Sequence, residues 1–392
     1  MKKILVFCDF YLPGFKAGGG MWTVVNLVER FSDRYQFFIF ARNCDSKDDR
    51  APYTTVKTGA WNKQGEANVF YAAAADITRA TCARIVHEVR PDCVFLNSAY
   101  STPAVKFLMA RRSGMTRPSS VIIAPCGNFL PGALATKPLK KKVYLRYANL
   151  VGLFRGVLWK ASTETEAREI EAVVGRDIDL MIAPDLVPKT MLPDFSVDQK
   201  PAKTKGAALF VFYSRVVPQK NLRYFLERLK SVHEGQVSLE IVGPLENDVY
   251  WRDCKKLIAD LPQNIVIDTR GAVSHSEGLD RLCNSHFFVL PTVNENFGYV
   301  CIESLSGGCP ILISDRTMWS GVQEQNAGWA IPLDDTEKWN AAIKECIDMD
   351  NEDFLQMSAA ARSFAKEWLA ETKIEEATAR VLERALEQEP PS

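Results

Sequence analysis

Two glutamates eight positions apart, Glu295 and Glu303, lie in an otherwise mostly apolar or small-residue segment, PTVNENFGYVCIESLSGGCP. The preceding HFFVLP reads as a strand, and a helix is predicted to begin near Gly298. Carboxylates accept hydrogen bonds from paired hydroxyls, such as those of a sugar or a ribose. The spacing predicts a hydroxyl-binding site, although a helix-dipole role for Glu295 and a surface position for Glu303 would also explain these residues.

Two cations follow another predicted strand, in FVFYSRVVPQKNLRYFLERL. Arg215 comes just after the strand and Lys220 near the first turn of the next helix. A forked guanidinium, a point-charged ammonium and a helix N-terminus together suit a diphosphate. The alternative is two solvated surface cations, the usual position of Lys and Arg.

Three consecutive glycines, Gly18 to Gly20, stand between a strand ending at Phe10 and a helix from Thr23 to Phe31. Glycines let the backbone approach a ligand, and the helix N-terminus attracts an anion. A flexible strand-to-helix turn is the alternative. The segment is not a P-loop, because no GK[ST] follows it.

Short apolar runs alternate with amphipathic segments along the chain, which is typical of βα repeats on a parallel sheet. We predict an α/β fold of two Rossmann-like doubly wound domains facing across a cleft. The first domain covers 1–190, 191–206 is a Pro-rich linker, the second domain covers 207–370, and 371–392 is a C-terminal helix packing across the domains. Strands are predicted at 3–10, 36–41, 92–97, 119–124, 180–183, 238–242, 265–268, 287–290 and 311–314, and within ALFVFYSR.

The charge is balanced overall but unevenly distributed. Residues 1–200 carry 28 Lys or Arg and 19 Asp or Glu, a net +9, and the remainder carries 20 and 29, a net −9. No acidic residue lies between Asp92 and Glu164, where eleven basic ones do. This field favours an anionic partner, and we expect no nucleic acid.

The ten cysteines are scattered and form no CxxC pair, as expected of reduced core thiols in a cytosolic protein. The apolar run after Met1 is too short for a signal peptide and reads as a first strand. No apolar run approaches the roughly 18 residues that span a membrane.

A basic and aromatic segment, KPLKKKVYLRYANLVGLFRGVLWK, occupies 137–160. Such a segment predicts contact with an anionic membrane surface or a lipid-diphosphate acceptor. An ordinary basic helix with a core-facing stripe is the alternative.

Acidic triplets could mark a metal site, and two occur, at Asp177-Ile-Asp179 and Asp348-Met-Asp350. Both read as turn or capping residues. The four histidines are not at ligand spacing, and for His275 we predict a local structural role. We therefore predict no metal and no cofactor.

Taken in order, these stretches resemble the family 4 glycosyltransferases of the GT-B fold, retaining enzymes that use nucleotide sugars. The most specific part is E-x7-E at Glu295 and Glu303, followed by SGGCPILISD. SRVVPQKN, LEIVGPLEND, RGAVSHSEGLDRL and WKASTETEAREI are similar to further family segments.

The resemblance implies residue roles. Arg215 and Lys220 would bind the donor diphosphate and stabilise the leaving charge, Glu303 would hold the ribose, and Glu295 would contact the donor sugar. Catalytic roles fall to Glu295, Arg215 and Lys220. The implied donor site also includes Gly19, Gly20, Gly243, Val273, Phe297, Gly298, Tyr299 and Val300. Asn97, Asn128 and Lys137 are expected to contact the acceptor. The chain departs from the family where APCGNFLPG lacks the usual histidine.

The resemblance thus implies a retaining transferase that moves a hexose from a UDP- or GDP-sugar to a glycan or lipid-linked acceptor, in bacterial surface polysaccharide synthesis. We expect it to be cytoplasmic, on the inner face of the membrane. Two alternatives are a GT-B nucleotide-sugar epimerase, whose extra acid and base residues we do not locate, and a non-catalytic sugar-binding protein of two α/β lobes.

Overall fold

The computed structural model describes residues 1–46, 51–135, 138–189, 191, 196–371 and 373–387. The chain divides into two compact units, one formed by Met1–Lys189 with Lys373–Ser392 and the other by Thr190–Thr372. Each is built on a largely parallel sheet with helices between the strands, which confirms the predicted α/β fold of two parallel-sheet domains.

The sheet of the first unit has eight strands in the described residues. They are β1 (Lys2–Phe7), β2 (Tyr35–Arg42), β3 (Trp61–Gln64), β4 (Ala67–Ala72), β5 (Cys93–Asn97), β6 (Ser120–Ala124), β7 (Leu158–Ala161) and β8 (Asp179–Ile182). Their order is β3-β4-β2-β1-β5-β6-β7-β8, with β3 antiparallel to β4 and the other pairs parallel. The central strands are apolar on both faces because helices cover both.

The helices of this unit are α1 (Gly19–Phe31), α2 (Arg79–Val89), α3 (Thr102–Arg112), α4 (Pro131–Ala135), α5 (Pro138–Leu150), α6 (Glu164–Val174) and α13 (Ile374–Glu387). Side-chain caps on α2, α3 and α6 come from Thr78, Ser101 and Thr163. The last helix, α13, returns to this unit after the chain has formed the other. It buries Val381 and Leu382. Its Glu375 forms an ion pair with Arg30 of α1, and its Glu383 pairs at 2.7 Å with Arg34, which lies between α1 and β2.

The second unit has six parallel strands in the described residues. They are β9 (Ala207–Tyr213), β10 (Gln236–Val242), β11 (Ile265–Gly271), β12 (Phe287–Leu290), β13 (Ile311–Ser314) and β14 (Gly328–Ile331), in the order β11-β10-β9-β12-β13-β14. The helices are α7 (Leu222–Leu229), α8 (Asp248–Ala259), α9 (His275–Cys283), α10 (Tyr299–Ser306), α11 (Thr336–Asp348) and α12 (Asn351–Glu371). The strand order reverses between β9 and β12, and ligands of open α/β sheets bind beyond the strand carboxyl ends at such a point.

Two lysines of the segment predicted as a linker are buried in this unit. Lys200 Nζ donates to the carbonyls of Leu282, Cys283 and Ser285 beyond the end of α9. Lys203 Nζ donates to those of Thr204, Ile347 and Met349 at the end of α11. Burial lowers the pKa of both ammonium groups. Both satisfy carbonyls that helix ends leave unpaired, so residues 200 and 203 are anchored in the core.

His286 precedes β12 and predicts a pH-dependent stability. Its Nδ1 accepts the Leu209 N–H at 3.0 Å, and burial, with Lys203 and Lys200, lowers its pKa from 6.5 to about 4. Between these pH values the unfolded chain binds a proton that the folded chain does not. The free energy of unfolding therefore decreases as the pH is lowered. We expect this residue to account for a loss of about 3 kcal/mol between pH 7 and pH 4.

Denaturant unfolding of the wild type and of His286→Gln, whose side chain can still accept a hydrogen bond, measures this loss. The variant should lose less free energy of unfolding over that range. Parallel pH profiles for the two proteins would show that His286 does not titrate with the predicted shift.

Candidate functional site

The residues predicted to bind a diphosphate and a sugar meet at the carboxyl ends of β9 and β12. These strands are neighbours, with Phe287 paired to Phe210 and Phe288 to Val211. Arg215 follows β9 by two residues, and Glu295 follows β12 by five. Residues about eighty positions apart therefore lie at one edge of the sheet.

Lys220 and Glu295 form an ion pair at this edge, in which the ammonium donates to Oε2 of the carboxylate. The two side chains are 11% and 13% exposed. Lys220 ends a 3-10 turn, Pro218–Lys220, and its loop is tied to the Glu295 loop through Gln219. Gln219 O accepts the Val293 N–H at 2.9 Å, and Gln219 Nε2 donates to Asn294 Oδ1 at 2.8 Å. The two loops thus hold a cation and a carboxylate together in a largely dry position.

The loop before α10 is held by backbone contacts. Glu295 N–H donates to the Arg316 carbonyl at 3.0 Å, and Trp319 Nε1 donates to the Phe297 carbonyl at 2.6 Å. Gly298, the N-cap, has a φ of 77°, and a Cβ there would lie 3.0 Å from Glu295 Cγ. Glycine meets both constraints without strain. Tyr299 and Val300 follow in the first turn of α10, whose positive dipole end lies beside Glu295.

Glu303 lies one turn further along α10 and is buried. It forms a hydrogen bond with His275, the first residue of α9, with 2.8 Å between His275 Nε2 and Glu303 Oε1. Tyr213, at the end of β9, lies near the same carboxylate, and burial together with Glu303 and Glu277 raises its pKa. His275, for which the sequence predicted only a local structural role, is therefore a direct hydrogen-bond partner of the carboxylate predicted to bind the ribose.

Arg215 has a different partner from Lys220. Its Nη1 lies 3.0 Å from Glu246 Oε2, in an exposed ion pair after β10. Gly243, which directly follows β10, has a φ of 135°, and a Cβ there would lie 2.1 Å from the Ser214 carbonyl oxygen. Glycine is therefore required for the loops after β9 and β10 to pack. Val273 lies in the turn between β11 and α9.

The candidate residues of the first unit lie at or just beyond the ends of the strands of its own sheet. Gly19 and Gly20 begin α1. Asn97 Nδ2 donates to the Gly20 carbonyl at 2.6 Å, and Asn128 Oδ1 accepts Ser98 Oγ at 2.7 Å and the Ala99 N–H at 2.9 Å. Both asparagines therefore hold loops at the strand ends. Lys137 lies outside the described residues.

Glu166, a residue that sequence reasoning did not single out, is buried in α6 beneath these loops. Its carboxylate accepts the Gly127 N–H at 2.6 Å and the Ser162 N–H at 2.8 Å. Burial raises its pKa, which these two hydrogen bonds oppose. It thereby fixes the turn after β6 that carries Cys126 and Gly127. Within the described ranges, no three His, Cys, Asp or Glu side chains are grouped to hold a metal ion.

This fold, with its polar groups at the switch point of the second sheet, is that of the GT-B glycosyltransferases. Sucrose-phosphate synthase from Thermosynechococcus elongatus aligns with a TM-score of 0.73 at 14% identity, over 98% of this chain and 100% of that chain. Anabaena HepE, in complex with UDP-glucose, aligns with a TM-score of 0.69 at 15% identity, over 98% and 99%.

At the level of sequence, residues 195–368 match the family model described as "Glycosyl transferases group 1". The match falls in the second unit, which holds the Lys220–Glu295 pair. The O-antigen chain mannosyltransferase RfbU of Salmonella typhimurium is 24% identical over 127 residues. That alignment covers 32% of this chain and 35% of the relative, so the chain matches about a third of the relative's length.

Proposed function

We propose that this protein is a retaining glycosyltransferase that moves a hexose from a nucleoside diphosphate sugar, UDP- or GDP-linked, to a hydroxyl of a glycan or lipid-linked acceptor. The observation that carries the proposal is the Lys220–Glu295 pair beside the N-terminus of α10, at the switch point of the second sheet. A cation, a helix dipole and a carboxylate at one position suit a ligand with both phosphates and hydroxyls.

The Lys220–Glu295 contact suggests how the donor is taken up. The diphosphate competes with Glu295 for the ammonium of Lys220, and α10 adds its N-terminal dipole. Glu295, released from Lys220, turns to the sugar. Glu303, oriented by His275, accepts the ribose hydroxyls. Arg215 exchanges its exposed contact with Glu246 for a phosphate.

The chemistry follows from these roles. The bond between the anomeric carbon and the phosphate oxygen breaks, and its electron pair leaves with the diphosphate, which Lys220 and Arg215 stabilise. Glu295 stabilises the oxocarbenium-like centre. The acceptor oxygen bonds to the same face of the anomeric carbon, and its proton passes to the departing phosphate oxygen. Each interaction is stronger in the transition state than in the ground state, as catalysis requires.

The comparisons support the donor class and suggest a setting. The Anabaena protein was solved with UDP-glucose, and the Salmonella relative is named for O-antigen chains. We therefore propose a bacterial surface polysaccharide as the product and the cytoplasmic side of the inner membrane as the location. Asn97, Asn128 and Lys137 are proposed to contact the acceptor, with Gly19 and Gly20 closing on the donor. No metal or cofactor enters the proposal.

The donor assignment is tested by thermal unfolding with UDP, GDP, ADP and dTDP. We expect one nucleotide to raise the melting temperature, because a ligand that binds only the folded state stabilises it. At a concentration one hundred times its Kd, the gain is about 2.7 kcal/mol. No response to any of the four would contradict the proposal.

The ribose assignment is tested with the 2′- and 3′-deoxy forms of the responding nucleotide. Glu303→Ala and His275→Ala should each weaken binding of the ribonucleotide by about fivefold to tenfold. For the deoxynucleotide that lacks the recognised hydroxyl, the affinity of each variant should be close to that of the wild type for the same deoxynucleotide. Lys230→Ala, which removes an exposed lysine paired with Asp260, is the control and should leave both affinities unchanged. Equal losses for ribo- and deoxynucleotides would show that Glu303 does not bind the ribose.

A further inference from the structure

Helix α5 carries an apolar stripe on the side that faces away from the core. Its inward residues are Lys141, Tyr144, Leu145 and Ala148, of which Tyr144 and Leu145 pack on the core cluster and Ala148 belongs to it. The outward residues include Leu139, Val143, Tyr147 and Leu150, which are 74%, 60%, 44% and 86% exposed. At about 100° per residue they fall within a stripe about 80° wide.

This arrangement differs from the sequence-based interpretation. The apolar residues of the 137–160 segment include Leu153, Phe154 and Trp159, and the structure buries all three in the core of the first unit. A core-facing face exists, formed by the inward residues of α5, but the described part of the chain leaves a second apolar face exposed. A row of four exposed large apolar side chains is uncommon on the surface of a soluble protein and is typical of a contact site.

Basic residues flank the stripe on both sides. Lys142 and Arg146 lie along one edge and Lys140 along the other, and all three are exposed. No acidic residue occurs in α5, or anywhere from residue 93 to residue 163. An apolar row between rows of cations is complementary to an anionic surface with an apolar interior.

We propose that α5 is a membrane-docking helix that lies in the plane of an anionic phospholipid surface. Leu139, Val143 and Leu150 insert among the acyl chains, Tyr147 lies at the headgroup level, and the flanking cations bind lipid phosphates. A second copy of the chain fits this face less well, because pairing α5 with itself would bring the same cations together. Among the described residues, none of the helices is long and apolar enough to cross a membrane.

Vesicle flotation tests the proposal with the full chain and with vesicles that contain no saccharide acceptor or nucleotide, so the result is independent of the proposed function. The wild type should bind phosphatidylglycerol–phosphatidylcholine vesicles and bind pure phosphatidylcholine much more weakly. Lys140→Gln, Lys142→Gln and Arg146→Gln together should lower partitioning to the anionic vesicles on the order of a hundredfold, at about fivefold per charge. Leu139→Gln with Leu150→Gln should lower it by at least about tenfold.

Matched controls use equally exposed positions of the second unit. Val249→Gln with Val266→Gln, and Lys255→Gln with Lys256→Gln and Lys366→Gln, should bind vesicles like the wild type. Because all these side chains are exposed, the variants should fold, which their melting temperatures check. The proposal is overturned if the wild type ignores anionic vesicles, if the α5 variants float like the controls, or if the wild type is a dimer that only the α5 variants dissociate.

Discussion

Replacing Lys220 by alanine is expected to lower the rate of glycosyl transfer by about 10²–10³-fold, the usual cost of removing one group that stabilises the charge of a transition state. The variant loses the cation proposed to bind the leaving diphosphate. It also leaves Glu295 without its partner in a largely buried position, so the carboxylate repels the diphosphate. Transfer rate with a saturating donor and KM for the donor are measured together, and both should worsen.

Three further variants separate catalysis from stability. Lys230→Ala removes a lysine of the same unit from an exposed pair and should retain wild-type transfer. Glu295→Ala should also be slow, and the double variant Lys220→Ala/Glu295→Ala should lose less than the product of the two single losses, because the residues interact directly. Normal transfer by Lys220→Ala, with its melting temperature preserved, would refute the role assigned to this residue.

A substitution of Lys160, in the first unit, is expected to have a similarly large effect, in this case on the free energy of unfolding. Lys160, at the end of β7, pairs with Asp185, and both side chains are almost fully buried. Burial alone lowers the pKa of Lys160, but Asp185 opposes this and the pKa is raised overall. Lys160→Met leaves Asp185 charged and buried, with Ser162 Oγ as its remaining side-chain donor at 3.0 Å. We expect a loss of about 3–5 kcal/mol in the free energy of unfolding.

A double variant distinguishes two causes of this loss, namely poorer packing and an unpaired buried charge on Asp185. Lys160→Met/Asp185→Leu removes both charges and should recover most of the loss, because a buried pair replaced by apolar residues is often neutral. Chemical denaturation of the three proteins at pH 7 provides the comparison. If the double variant is as unstable as Lys160→Met, the cost comes from the shape of the site and not from an unpaired carboxylate.

Most of the sheet could be predicted from local pattern. Strands such as β1, β5 and β12 are apolar runs between turn signals, and parallel sheets buried on both faces require such runs. The strands that the list of predicted strands lacks are β3, β4, β7 and β14. Of these, β3 and β14 are short strands at sheet edges, and β4 and β7 lie inside their sheet. β3 reads WNKQ and pairs only with β4, and β14 reads GWAI with an initial glycine. Their pairing depends on the neighbouring strand, which local periodicity does not reveal.

The meeting of Glu295 and Lys220 at one edge of the sheet could be predicted from the sequence, and their contacts only in part. Both residues follow strands, and these strands, β12 and β9, are adjacent in the sheet. The pairing of Arg215 with Glu246, and that of His275 with Glu303, depend on side-chain directions across three loops. The spacing of Leu139, Val143 and Tyr147 at i, i+4 and i+8 was a readable signal, but whether that row faces the core or the solvent is decided by packing.

The return of α13 to the first unit has a consequence for biosynthesis. When the ribosome has released the first 189 residues, the surface that Val381 and Leu382 will later cover is still bare. It stays bare while the whole second unit is translated, at a rate of about 5–20 residues per second. The nascent first unit must therefore wait on the order of ten seconds for its last helix. During that interval the apolar surface under α13 is exposed, and the second unit is the first part of the chain that can finish folding.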